Sequence, residues 1–271
     1  MIIPARGWWL MTVMVIALLG CGETEQEGNR MAATAQISAA EWQALAQKRV
    51  VFGHQSVGQN ILSGVQSLAA QAGVNLPVTE SRGPAASGGI VHFFVGQNED
   101  PLSKFKDFAS TLENSAAQGA DIALMKLCYI DFNSGTNAKQ LAEQYIAMLD
   151  RLSQQFPNTI FVAITAPLTI AQTGPKAWIK RLLGRTPSGY ADNARRQEFN
   201  EILRARYNQQ GRLFDLAKIE AEGAGAHEYQ GQPIEVLNPA LTYDDGHLNA
   251  QGELIVASWL IKYLAALPQR Q

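Results

Sequence analysis

Cysteine is nearly absent: the 271 residues contain two, Cys21 and Cys128. No disulfide framework can hold such a chain, so stability has to come from a buried core. Histidine is sparse as well, with four in the chain, and their local spacings are not those of a zinc motif, so no metal is expected. An excess of either charge is missing too, because Lys+Arg 22 stand against Asp+Glu 24 for a net charge of -2. Such a balance draws the protein toward neither nucleic acid nor acidic surfaces, and no nucleic-acid partner is expected. Neither an internal repeat nor a long low-complexity linker interrupts the chain. The one pronounced apolar run, residues 8–19, is too short for a comfortable membrane span.

That run does follow Arg6, and it closes on Leu18-Leu19-Gly20-Cys21. A basic residue, a short apolar stretch and small residues at its end predict a secretory signal peptide over residues 1–20. The closing residues resemble the lipobox of bacterial lipoproteins. The resemblance implies lipidation of Cys21, palmitate included, with that cysteine as the first mature residue; an ordinary cleaved signal is the plainer alternative. Gly22 follows the cysteine where an Asp would favour inner-membrane retention, so the implied location is the periplasmic side of the cell envelope, at the outer membrane rather than the inner. Residues 21–36 hold Glu23, Glu25, Glu27 and Asn29 with few large apolar side chains. They read as a flexible tether.

From residue 37 to residue 271 the composition supports one domain, since 46% of the chain is of hydrophobic type, enough for a properly buried core. Arg49-Val50-Val51-Phe52 reads as a strand, and Val57, Ile61, Leu62, Val65 and Leu68 recur at helical spacing after it. A weaker extended piece around residues 74–78 carries Pro77, which confines it to an edge. Residues 121–128 are mostly apolar and predict a central strand covered on both faces. Residues 159–164, 212–215, 191–207 and 254–264 then supply two more strands and two more helices. Strands alternating with helices predict a three-layer α/β/α sandwich with a mainly parallel sheet.

In such sheets, reactive groups gather beyond the carboxyl ends of the strands. Two segments fit. Gly53-His54-Gln55-Ser56-Val57-Gly58 lies between the first strand and its helix, where a serine meets free backbone N–H groups and the helix dipole. The plain alternative for Ser56 is a helix N-cap. Tyr243-Asp244-Asp245-Gly246-His247-Leu248-Asn249 precedes the last helix, and an Asp three residues before a His can fix the imidazole tautomer while the second nitrogen faces a hydroxyl.

Phe52-Gly53-His54-Gln55-Ser56 resembles the nucleophile block of SGNH/GDSL hydrolases, and Asp244-Asp245-Gly246-His247 resembles their D-x-x-H block. That resemblance, over roughly residues 49–267, implies a flavodoxin-like, SGNH hydrolase-like sandwich and cofactor-free serine chemistry of the esterase, lipase or deacetylase type. By matching position it implies Ser56 as nucleophile, His247 as general base and Asp244 as its orienting partner. The chain departs from the pattern at two places. Its serine block lacks the Gly-Asp-Ser acid, and Cys128-Tyr129-Ile130-Asp131 stands where a Gly-x-Asn-Asp block would follow the central strand. With that asparagine missing, the expected oxyanion donors are the backbone N–H of Gly96 and the side chain of Asn98.

The remaining polar residues divide. Asp131 and Lys126 are strand-end charges, more often solvated than catalytic. His54 shapes the oxyanion turn or supplies a polar wall, whereas His92 and His227 show no partner in the sequence. Lys176, Lys180, Arg181 and Arg185 interleave with Trp178, Ile179, Leu182 and Leu183, a basic amphipathic segment suited to an anionic lipid surface, to a lid, or simply to packing on the domain. The expectation is a monomeric, lipid-anchored hydrolase acting on a small-molecule, glycan or lipid ester of the cell envelope. A catalytically silent lipoprotein that binds envelope glycan or a partner protein is the alternative.

Overall fold

A computed structural model describes residues 33–84 and 87–268. The expected signal peptide, the Cys21 lipidation site and most of the 21–36 tether lie outside the described residues. Within them the chain runs α1 (Ala39–Ala46), β1 (Arg49–His54), α2 (Ser56–Gln71), β2 (Val78–Glu80), β3 (Gly89–Phe94), α3 (Pro101–Thr111), β4 (Ile122–Met125), α4 (Ala138–Gln155), β5 (Ile160–Ile164), α5 (Gly174–Leu182), α6 (Tyr190–Tyr207), β6 (Leu213–Phe214), α7 (Leu216–Ala221), the hairpin β7 (His227–Tyr229) and β8 (Gln232–Ile234), and α8 (Ala250–Ala266).

Six strands form one sheet in the order β2-β3-β1-β4-β5-β6, and every pairing in it is parallel. Alternation along the strands splits the core into two. Val50, Phe52, Ile122, Leu124, Ile160, Val162 and Ile164 face one side, packing against α1, α2, α7 and α8. Val51, Ala123, Met125, Phe161 and Ala163 face the other, against α3, α4 and α6. The continuous apolar runs read from the sequence are thus central strands buried on both faces. The fold is the expected three-layer α/β/α sandwich. The weak extended piece around Pro77 becomes the edge strand β2, which pairs with β3 alone.

β1 lies between β3 and β4, so the chain leaves it toward both halves of the sheet. A crevice opens beyond the carboxyl end of a strand at such a switch point. Residue 56 begins α2 immediately past that end.

The other half of the site arrives with α8. Gly64 of α2 sits so close to α8 that an added Cβ would meet the carbonyl oxygen of Glu253 at 2.2 Å. Asn60 Nδ2 donates to Glu253 Oε1 at 2.8 Å beside that approach. At the far end of α8, the buried Lys48 ammonium donates to the carbonyl oxygens of Leu264, Ala265 and Leu267 at 2.8, 2.6 and 2.6 Å. It satisfies carbonyls that a helix C-terminus leaves without partners.

The last residues of the expected tether also rest on α8. Ala35 N–H donates to Ser258 Oγ at 2.8 Å, Trp259 Nε1 to the Ala33 carbonyl at 3.2 Å, and Lys262 Nζ to the Gln36 carbonyl at 3.0 Å.

Because the α2–α8 approach leaves no room for a side chain, Gly64→Val should cost about 1–3 kcal/mol through overpacking, a fall of roughly 5 °C in Tm for a domain of this size. Thermal unfolding of the variant checks this, and an unchanged Tm would mean that the helices are not in contact there.

Candidate active site

Helices α3, α4, α7 and α8 each open on a side chain, Asp100, Asn137, Asp215 or Asn249, that accepts from a first-turn N–H. α2 does not. Its N-cap is Gln55, in extended conformation and with no side-chain cap. The Gln55 amide reaches sideways instead, donating to the carbonyl oxygens of Val95 at 2.6 Å and Gly96 at 3.3 Å. Ser56 is therefore the first residue of the helix and not its cap, which removes the plain alternative. No protein acceptor meets its N–H or that of Val57 among the described residues, leaving both at the positive end of the helix dipole.

The Ser56 hydroxyl points to the other motif. Ser56 Oγ lies 2.8 Å from His247 Nε2, and His247 Nδ1 lies 2.7 Å from Asp244 Oδ2. A carboxylate accepts, so Nδ1 carries the proton, and Nε2 is left to accept from the serine hydroxyl. The three groups brought together are those named by the two sequence blocks.

A tight turn holds the imidazole. Asp244 Oδ1 accepts from the backbone N–H of Gly246 at 3.3 Å and of His247 at 2.8 Å, while Thr242 Oγ1 donates to the His247 carbonyl at 2.6 Å. Asp245 takes the left-handed conformation, with φ 78°. Partial burial pulls the Asp244 pKa upward, but the hydrogen bonds from the His247 backbone and ring outweigh it and leave the carboxyl below its ordinary range. Two tyrosines wall the ring. Tyr243 stacks on it with ring centroids 5.9 Å apart, and Tyr129 meets it edge-on at 5.5 Å. Burial, followed by the Asp244 charge, pushes the Tyr129 phenol up to about 12, so it stays protonated. The carbonyl of Tyr129 accepts from the buried guanidinium of Arg196 at 2.8 and 3.2 Å.

The expected oxyanion donors fare differently. The Gly96 N–H donates to Asp107 Oδ2 at 2.8 Å and is not free for a substrate oxygen, a correction to its expected role. Asn98 accepts from Lys104 Nζ through Oδ1 at 3.0 Å, and its amide nitrogen makes no hydrogen bond among the described residues. The loop it belongs to rests on a fully buried ion pair, with Lys104 Nζ 2.6 Å from Asp131 Oδ2 and Asp131 Oδ1 accepting from the Glu99 N–H at 3.0 Å. Asp131 and Lys126 are thus buried groups of the support, where the sequence favoured solvated strand-end charges. Sequence reasoning missed Lys104 because a lysine in an amphipathic helix gives no sign that it turns inward.

His54 is completely buried beneath the serine turn. Burial, reinforced by the charge on Lys126, drops its pKa to about 3. The neutral ring donates from Nδ1 to the Gln55 carbonyl at 2.8 Å. Nε2 therefore accepts, at 3.0 Å, from Nδ1 of His92, the partner that the sequence did not show. His227 likewise has contacts, its Nε2 lying 3.2 Å from the Ala224 carbonyl. Gly58 packs on the His54 side chain so tightly that an added Cβ would lie 2.3 Å from the His54 Cβ and 2.4 Å from its ring Cγ.

On the Asp244 side of the histidine turn lies a cleft of about 1250 Å³, walled by Tyr129, Ile170, Gln172, Lys176, Asp245 and Gly246 among others. Ser56 and His247 stand beyond its edge.

No protein-family model and no curated protein matches the sequence. Solved structures do. The neighbours include lipolytic and esterase folds of the GDSL type. One, from Desulfitobacterium hafniense DCB-2 and assigned to the lipolytic G-D-S-L family, is 10% identical with a TM-score of 0.47 over 80% of this chain and 99% of that one. The esterase EstA from Pseudoalteromonas sp. is 12% identical at TM-score 0.43, over 79% and 94%. The periplasmic domain of a lipopolysaccharide acetyltransferase from Salmonella ser. Paratyphi A is 12% identical at 0.44, over 83% and 88%. At 10–12% identity the likeness is one of fold, and it carries over no residue role.

Glu220, fully buried, gives this region a titration signature. Burial pushes its pKa up to about 8 from the ordinary 4.5, and its Oε1 has no hydrogen-bond partner among the described residues. Between those two values the folded protein holds a proton that the unfolded chain has lost, so stability falls as pH rises through that window. Glu220→Gln removes the titration, and the variant should gain on its parent as pH rises from 4.5 to about 8, by at most about 1.4 kcal/mol per unit. Denaturant unfolding of both proteins across that range checks the slope, and parallel stability curves would contradict it.

Proposed function

We propose that this protein is a serine ester hydrolase, of the esterase, lipase or deacetylase type, acting on an ester of the bacterial cell envelope. One observation carries the reading: the continuous chain from Ser56 Oγ through both nitrogens of His247 to Asp244, at 2.8 and 2.7 Å. Hydroxyl, imidazole and carboxylate in that order are what general-base activation of a nucleophile requires.

In this mechanism His247 Nε2 takes the Ser56 proton as the oxygen attacks the ester carbonyl, and Asp244 holds the resulting imidazolium in place. The tetrahedral oxyanion forms at the N-terminus of α2, where the N–H groups of Ser56 and Val57 have no acceptor among the described residues, with the Asn98 amide nitrogen as side-chain donor. His247 returns the proton to the leaving alcohol, which departs and leaves the acyl group on Ser56. A water then attacks as the same imidazole removes its proton, and serine is regenerated. The Tyr129 and Tyr243 rings restrict the imidazole to the plane that serves both steps. No step calls for a cofactor.

The Cys21 motif supports attachment to the envelope by a lipid anchor, facing the periplasm at the outer membrane. No described helix is long and apolar enough to cross a membrane. A catalytically silent binding protein is the second reading, and what favours it is the Gly96 N–H held by Asp107, which leaves one fewer backbone donor for an oxyanion.

Turnover of p-nitrophenyl acetate and labelling by a fluorophosphonate separate the two. Ser56→Ala and His247→Ala should each lower kcat by about 10⁴-fold or more, and Asp244→Asn by roughly 10³- to 10⁴-fold. Asn98→Ala is expected to cost ~100-fold. A parent protein that neither turns over the ester nor takes the label leaves the binding reading in possession.

A further inference from the structure

Residues 173–189 contain Lys176, Lys180, Arg181 and Arg185 and not one Asp or Glu. α5 occupies the first part of this stretch, and Ala177 is its one buried residue. Trp178, Ile179, Leu182 and Leu183 are exposed by 65%, 49%, 71% and 65%. Four large apolar side chains side by side in water are unusual enough to require a partner.

The helix arranges them with order. At about 100° per residue, Trp178, Ile179, Leu182 and Leu183 make one stripe that faces away from the side on which Ala177 packs. Lys176 falls at one margin of that stripe and Arg181 at the other, with Lys180 beyond Lys176. Two of the cations also fasten the helix to the body. Lys180 Nζ donates to Ser188 Oγ at 2.9 Å, and the Arg181 guanidinium lies over the Tyr190 ring, 5.2 Å from its centroid. Lys176 and Arg185 form no ion pair among the described residues. An apolar stripe with cations at both margins and no acid between them suits an interface that is apolar at depth and anionic at its surface.

We propose that α5 is a docking helix for an anionic lipid bilayer. Trp178, Ile179, Leu182 and Leu183 enter the headgroup–acyl boundary, and Lys176 and Arg185 meet lipid phosphates while Lys180 and Arg181 hold the helix to the body. Lys176, at the start of the helix, also walls the cleft that Asp244, Asp245 and Gly246 line. Docking therefore sets that cleft beside the lipid surface. The contact itself does not rest on chemistry at Ser56, so a Ser56→Ala protein docks as its parent does.

The test uses the full chain with vesicles of phosphatidylglycerol and phosphatidylcholine, or of phosphatidylcholine alone, and follows tryptic cleavage after Lys176, Lys180, Arg181 and Arg185 by mass spectrometry. Anionic vesicles should slow those cleavages by about tenfold or more, zwitterionic vesicles should leave them unchanged, and high salt should restore them. Trp178→Ser combined with Leu182→Ser, which keeps every cleavage site and alters exposed positions only, should abolish the protection. Equal cleavage with both vesicle types, or full protection of the double variant, overturns the proposal. So does protection that appears without vesicles and grows with protein concentration, which would make this face a contact between copies of the chain.

Discussion

The close approach of α2 to α8 is the constraint on which the site depends. Ser56 and His247 are 191 residues apart in the chain; Ser56 is the first residue of α2, and His247 sits in the turn that leads into α8. Where Gly64 meets the Glu253 carbonyl there is no side chain between the backbones, so the two helix starts are registered as parts of one rigid unit. A hydrogen bond of 2.8 Å tolerates little slack. Two helices separated by ordinary side chains would reach the same distance only on average. The apolar face that both helices present to β1 and β4 holds the pair against the sheet, so the geometry of the hydroxyl and the imidazole derives from packing well away from either.

Beneath that arrangement lies a layer of buried polar groups, which a core chosen for stability alone would not contain. His54 and His92 are neutral and hydrogen-bonded to one another, Lys104 and Asp131 form an ion pair out of contact with water, and Glu220 keeps a proton above the ordinary carboxylate range. Burying such groups costs stability unless each finds partners. Each finds partners among backbone groups of irregular segments: the Gln55 carbonyl for His54, the N–H groups of Glu99 and Cys128 for Asp131, and the Leu168 N–H for Glu220. What the polar layer secures is the position of irregular backbone, which has no ladder of its own to hold it.

The three-layer architecture was legible because alternating apolar strands and helical periods are local properties, and the structure differs mainly at element ends. The strand expected to stop at Phe52 continues through Gly53 and His54, because His54 is buried against His92 in the neighbouring strand instead of facing solvent. The pairing of Asp244 with His247 was legible for the same reason, since three residues of one turn determine it. Gly96 was not: its N–H is taken by Asp107, in a helix whose orientation no local pattern reveals. Tyr129 stands in the segment where a glycine and an asparagine were sought, and its ring occupies space against Gly246 that a smaller residue would leave open. Nothing in the local pattern singles out Lys104 or Glu220, and only the three-dimensional packing shows them turned inward.

The seat of residues 33–36 on α8 has a geometric consequence. They attach at Ser258, Trp259 and Lys262, and Ser258 lies roughly 12 Å along the helix from its first residue, at 1.5 Å rise per residue. The incoming polypeptide therefore joins the body on a stiff rod whose other end carries the histidine turn. The standoff between that seat and the reacting atoms is therefore a fixed length, set by the rise of one helix.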